Sequence, residues 1–211
     1  MTNKTQQKLI EATERLLRRD GLARVTTRQI AREAGVTEGV IYHHYRDKAE
    51  LLLAVTGSSI GEFREVLNSL PLQVGQGSIR DNLERTLQAA YDFQFRIVPI
   101  VCSLFADVQL LDRTREILNE RQCGPECVVE ALVVYLEAEQ RLGRFNRSVS
   151  PRSAAEILLA SGFHTAMLDH LLGRDHPPEA RHLRVRENIQ ALLAGLEPRP
   201  ETPSAISQEQ G

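Results

Sequence analysis

Tryptophan is absent from this 211-residue chain, methionine occurs twice, cysteine three times, and aromatic residues make up 5%. An odd and small cysteine count excludes a disulfide framework of the secreted kind. No apolar run approaches the roughly 18–20 residues that a bilayer-spanning helix needs. The N-terminal stretch MTNKTQQKLIEATERLL also lacks the apolar segment of a signal peptide, so a cytoplasmic location and no membrane partner are expected. There is no glycine-rich phosphate loop, no G-x-S-x-G, no H-E-x-x-H and no C-x-x-C pair. The chain is therefore read as a non-enzyme without cofactor, metal or catalytic residues. Alternation of apolar and polar residues is missing too, as are the Asn-Gly and Asp-Gly hairpin signals, which excludes a β-rich fold.

What is present is charge asymmetry and helical periodicity. Net charge is −2, but residues 1–50 carry ten Lys and Arg against seven Asp and Glu, a balance of +3 that leaves −5 for the rest. A basic head on an acidic body suits a head that meets a polyanion. The pattern predicts an all-α fold in which a first helix over 4–20 shows Leu9, Ala12, Leu16 and Leu17 as one stripe and stops at Gly21. Thr26-x-x-Gln29 is a capping-box pattern opening a short helix that ends at Gly35. Thr37 caps a very short third helix, and Asp47-x-x-Glu50 a long fourth one. Helices follow over about 79–98, 100–110, 112–142, 151–172 and 179–196, with Pro99 expected to kink or interrupt the chain. This organisation predicts a head over 1–48, a body over 49–196, and a disordered polar tail over 197–211.

Residues 26–48, TTRQIAREAGVTEGVIYHHYRDK, carry the functional signal. Two short helices cross steeply only where a small residue and a turning glycine permit it. Ala31 and Gly35 fill those roles, with Ile30, Val36 and Ile41 as plugs beneath. The spacing T-x-x-x-I-A-x-x-A-G-V-T-x-G-x-I-Y-x-H-Y from Thr26, followed by K-x-E-L-L, resembles the DNA-binding domain of the tetracycline-repressor (TetR) family. The resemblance covers about residues 4–55, with Tyr45 standing where the family more often has Phe. It implies a homodimer with a three-helix DNA-binding head and a ligand-binding body, acting as a repressor that a small molecule releases from a near-palindromic double-stranded operator. The family's DNA contacts fall on Thr27, Arg28, Thr37, Gly39, Tyr42, His43, His44 and Lys48. Arg28 suits a guanine edge or a phosphate, and Thr27 and Thr37 suit phosphates at helix N-termini. Tyr42, His43 and Lys48 suit phosphates. Tyr45 is read as core.

Beyond the head, apolar content on the last two helices exceeds what one packing face needs. The family places its dimer seam there, which implies Ile157, Leu168, Leu171, Ile189 and Leu193. A mostly apolar effector is expected among Phe63, Leu67, Tyr91, Phe95, Cys102, Phe105, Tyr135, Phe163, His164 and Met167, with Val134 and Cys127 also candidates and Tyr91 or His164 as polar anchor. Cys123 and Cys127 are read as inert thiols. Gly57 and Gly61 each cost about 1 kcal/mol relative to alanine inside a helix. They mark either close packing of another helix, the first reading, or a bend.

Overall fold

The computed structural model describes residues 4–196 apart from Cys123 and Asp175; the side chains of Ala23, Pro178, Leu192, Leu193, Gly195 and Leu196 also lie outside the description. The expected tail over 197–211, the Cys123 thiol and the Leu193 side chain therefore fall outside the described residues. Among those residues there is no β-strand, and no helix is long and apolar enough to cross a membrane.

The head contains α1 (Lys4–Asp20), α2 (Thr27–Ala34) and α3 (Glu38–His44), followed by α4 (Lys48–Ser59). Its core joins Leu9, Leu16, Ile30, Ile41 and Tyr45 to Leu51, Leu52 and Val55 of α4. Ile30 and Ile41 are wholly buried, and burying such side chains contributes about 1.5–3 kcal/mol each. The body packs α5 (Gly61–Ser69), α6 (Ile79–Leu104), α8 (Pro125–Arg141), α9 (Pro151–Leu171) and α10 (Pro178–Leu196) around a second core that includes Phe63, Leu83, Tyr91, Leu132, Tyr135 and Leu158. Helix α7 (Val108–Arg121) crosses back to α4.

Two expectations are corrected here. The long fourth helix is broken: α4 stops at Ser59, Ile60 turns, and α5 starts at Gly61. A Cβ added at Gly57 or Gly61 would meet nothing within 4 Å, so close packing does not explain either glycine. The break has a local cause. Thr56 donates to the Leu52 carbonyl at 3.1 Å, while Ser58 and Ser59 donate to the Val55 carbonyl at 2.7 and 3.2 Å. Hydroxyls competing for helix carbonyls bend helices, and Gly57 removes the propensity that would resist. Gly57→Ala is therefore sterically free, and it should slow amide exchange across residues 56–62 about five-fold, the equivalent of 1 kcal/mol. Unchanged exchange would show that the glycine does not loosen this turn.

Pro99, by contrast, does not end its helix. It deprives the Phe95 carbonyl of its usual donor, and His170 Nε2 takes that place at 2.7 Å, with its ring stacked on Phe95 at 4.2 Å between centroids. One helix thus replaces the two expected segments and carries Ile100 from the body into the head core.

Candidate nucleic-acid interface

The α2–α3 pair is built from turn chemistry. Thr26 accepts from the Gln29 N–H while Gln29 accepts from the Thr26 N–H, a complete capping box. Gly35 adopts φ 69°, a left-handed conformation that costs any residue with a Cβ, and its neighbour Val36 donates to the Ala31 carbonyl at 2.9 Å. Ala31 and Ile41 are buried at the crossing, so the opposite faces of both helices must look outward.

That outward face gathers most of the residues expected to meet DNA. Arg28, Thr37, Gly39 and His43 are exposed, and Tyr42 is 54% exposed, a large ring left open to solvent. Thr37 occupies the cap position of α3, yet its side chain makes no capping bond. His44 is half-buried, its ring 6.4 Å from that of Tyr45, and Tyr45 is buried as expected. Burial, with Glu50 adding to it, raises the Tyr45 hydroxyl above the ordinary tyrosine range. Lys48 points partly inward, its Nζ 3.4 Å from the Leu22 carbonyl. Burial lowers its pKa and Asp107 works the other way.

Thr27 differs from its expected role. Its hydroxyl donates to Glu38 at 2.5 Å and lies 3.5 Å from the Tyr42 hydroxyl, so its one proton is already engaged. A phosphate at α2 must then use the Thr27 backbone N–H, which opens the helix and has no intrahelical acceptor. Glu38 itself was not among the expected residues, although it is the one acid between Glu33 and Asp47 in the sequence.

Behind the head, α7 grips the start of α4. Arg113 Nε meets Asp47 at 2.7 Å, and Arg121 meets Glu50 at 2.5 Å. Asp47 also accepts from the Glu50 N–H at 2.9 Å. Burial opposes its charge, but the Arg113 and Glu50 hydrogen bonds win and hold the carboxyl below its ordinary range. At the other end of α4 a cleft of about 310 Å³ opens between head and body, with Leu17, Val55, Arg96, Pro99 and His170 among its walls.

The expected effector lining is only partly brought together. Phe63, Leu67, Tyr91 and Tyr135 are buried in the body core, with Phe95, Phe163 and Met167 half-buried against it. Cys102, Phe105 and His164 are not there. Beyond Pro99, α6 packs through Ile100 and Leu104 on the head core, which leaves Cys102 exposed and Phe105 69% exposed. His164 lies on the outer side of α9, and Cys127 and Val134 are exposed on α8. Nor does the Tyr91 hydroxyl wait for a ligand. It donates to Asp169 at 3.0 Å, and that carboxylate also receives Arg184 at 2.9 Å. Burial and the adjoining Asp169 push the Tyr91 pKa well above the ordinary tyrosine range. Tyr135 accepts from Asn82 at 3.1 Å, and burial pushes its hydroxyl up to about 12.

The outward strip of α9 and its C-cap consists of Ile157, Ser161, His164, Leu168, Leu171 and Leu172, which fall within an arc of about 100° at about 100° per residue. Ile157, Leu171 and Leu172 are 54%, 74% and 54% exposed, and Leu183 on α10 is 53% exposed. Ile189 is corrected out of this set, because it is wholly buried within its own protomer and docks α10 on the body core.

An all-α chain that presents one polar face of a helix-turn-helix on a basic head is, by architecture, a nucleic-acid-binding type of molecule. Sequence comparison finds relatives of the head. Residues 9–55 match the bacterial regulatory proteins of the tetR family. The transcriptional regulator TtgR of Pseudomonas putida is 48% identical over 54 residues, which span 26% of each chain. The transcriptional repressor BepR of Brucella suis biovar 1 is 27% identical over 167 residues, 74% of this chain and 76% of BepR. The match to TtgR thus spans about a quarter of that relative's length. The fatty acid degradation regulator FadR from Bacillus halodurans superposes with a TM-score of 0.68 over 90% of this chain and 96% of that one, at 15% identity, a likeness of fold. Residues 9–55 are thus similar to the DNA-binding domain of tetR-family regulators, and the relatives that match them are named as transcriptional regulators.

Proposed function

We propose that this protein is a homodimeric transcriptional repressor that a small, mostly apolar ligand releases from a near-palindromic operator. The observation that carries this reading is the outward face formed by Arg28, Thr37, Gly39, Tyr42 and His43 over a fully packed helix crossing. The N-terminal residues of a recognition helix meet base edges in the major groove, while flanking side chains hold phosphates. The apolar strip of α9 supports a two-fold partner, which would set two such faces one helical turn of DNA apart, about 34–36 Å. BepR is by name a repressor, which supports the direction of regulation.

Release requires a ligand that favours one of two body conformations, not one that merely binds. The Asp47–Arg113 and Glu50–Arg121 pairs supply a physical route, because any shift of α7 pulls on the helix that follows the recognition helix. Selecting duplexes from a random pool tests the reading directly. A near-palindrome with half-sites centred about 10–10.5 bp or a multiple apart is expected. No enrichment would overturn DNA recognition.

On the selected site, Tyr42→Ala should weaken binding to matched and mismatched duplexes alike. Lys48→Ala should reduce the slope of log affinity against log salt by about one, because one phosphate contact releases about one counterion. An unchanged slope would assign Lys48 wholly to the Leu22 carbonyl.

A further inference from the structure

Glu38 is the anomaly of the head: an acceptor-only side chain on a face otherwise suited to phosphates. Phosphates repel it, and among the described residues no arginine or lysine pairs with it. It sits in the first turn of α3, flanked by Thr27, whose hydroxyl donates to it at 2.5 Å, and by Tyr42, whose hydroxyl lies 3.5 Å from that of Thr27. The Thr27 bond tethers the carboxylate. The next residue, Gly39, has no side chain, and a Cβ there would find only the Thr37 hydroxyl, at 4.0 Å. A base edge can therefore come close to this turn.

Resting on the DNA-binding reading above, we infer that Glu38 is a specificity-determining residue that accepts a hydrogen bond from the N4 amino group of a cytosine in each half-site. The donor code of the major groove carries the choice. Guanine and thymine present acceptors, O6 and N7 or O4, that a carboxylate repels. Adenine offers its N6 amino group beside the N7 acceptor, a pair that suits an amide better than a carboxylate. Cytosine alone offers a donor without an adjoining ring acceptor. A carboxylate has about four acceptor sites, so the bond from Thr27 leaves capacity for the base. Thr27 is then a positioning residue for Glu38.

The experiment repeats the selection from random duplexes with the full chain and three variants. The wild type should enrich cytosine at one position per half-site, preferred about ten-fold or more over the other bases. Glu38→Gln should move that preference to adenine, which an amide meets through N6 and N7, and leave every other position unchanged. Glu38→Ala should flatten that position alone. Thr27→Val should keep cytosine but narrow its margin, because the carboxylate loses its tether. Circular dichroism confirms that each variant is folded, as expected for side chains that are only half-buried. If both Glu38 variants keep the wild-type base at every position, the inference is overturned while DNA recognition stands. If the wild type enriches nothing, both fall together.

Discussion

Ile157→Glu combined with Leu171→Glu yields a folded monomer that loses operator affinity by two orders of magnitude or more. Both side chains are more than half exposed in the protomer, so a charge there removes no intramolecular packing. Across a two-fold axis the same charges would face one another in a desolvated seam, where like charges are strongly unfavourable. The loss of affinity follows from linkage. Two joined heads bind with an effective concentration that raises avidity by about 10²–10⁴ over one head, and a monomer forfeits that gain. Light scattering reads the mass and a titration with the selected duplex reads the affinity. A dimer of unchanged mass would place the seam away from α9.

Asp169→Ala should lower the unfolding free energy by about 3 kcal/mol, which corresponds to a fall of about 6–12 °C in melting temperature for a chain of this size. The Asp169 carboxylate is 1% exposed and joins three helices, taking Tyr91 from α6 and Arg184 from α10 while standing on α9. Removing it strands the buried Tyr91 hydroxyl, at about 1–3 kcal/mol, and leaves Arg184 without its partner. Arg184 is 35% exposed, so water recovers part of its loss and the total stays near the lower end for a broken buried pair. Tyr91→Phe in the same background removes the stranded donor and should restore about 1 kcal/mol. Melting within 2 °C of wild type would show that the carboxylate does not tie these helices. Because Leu183 stands one residue from Arg184, loosening α10 should also weaken the dimer.

Legibility in the sequence followed the range of the interactions. The helix-turn-helix was readable because its determinants are local: Thr26 and Gln29 cap within one turn, Gly35 supplies the left-handed residue, and Ile30 and Ile41 recur at helical spacing. The continuity of α6 through Pro99 is not local, since the group that replaces its missing hydrogen bond is His170, far along the chain. At Gly57 and Gly61 composition alone gives no way to tell a close approach from a bend, because the difference lies in what surrounds the glycine. The body candidates divided for a similar reason. Phe63 and Phe105 are the same residue type, but α5 turns one into the core and α6 carries the other to the surface. Ile189 is the reverse case, an apolar residue of α10 whose spacing suits either side and which faces the body core.

The break at Ile60 also sets a gearing. Twelve residues of α4 make an arm about 18 Å long between the turn and the recognition helix, whereas an unbroken helix through Ser69 would measure about 33 Å. A rotation of about 10° about Ile60 would carry the arm's tip about 3 Å, and in the proposed dimer two opposed arms would change their separation by about 6 Å, half the width of a major groove. For a given torque the shorter arm delivers nearly twice the force at its tip over half the travel. In the proposed complex with DNA, a head on so short a crank would be stiff against thermal wandering and would need a large turn at its base before leaving the groove.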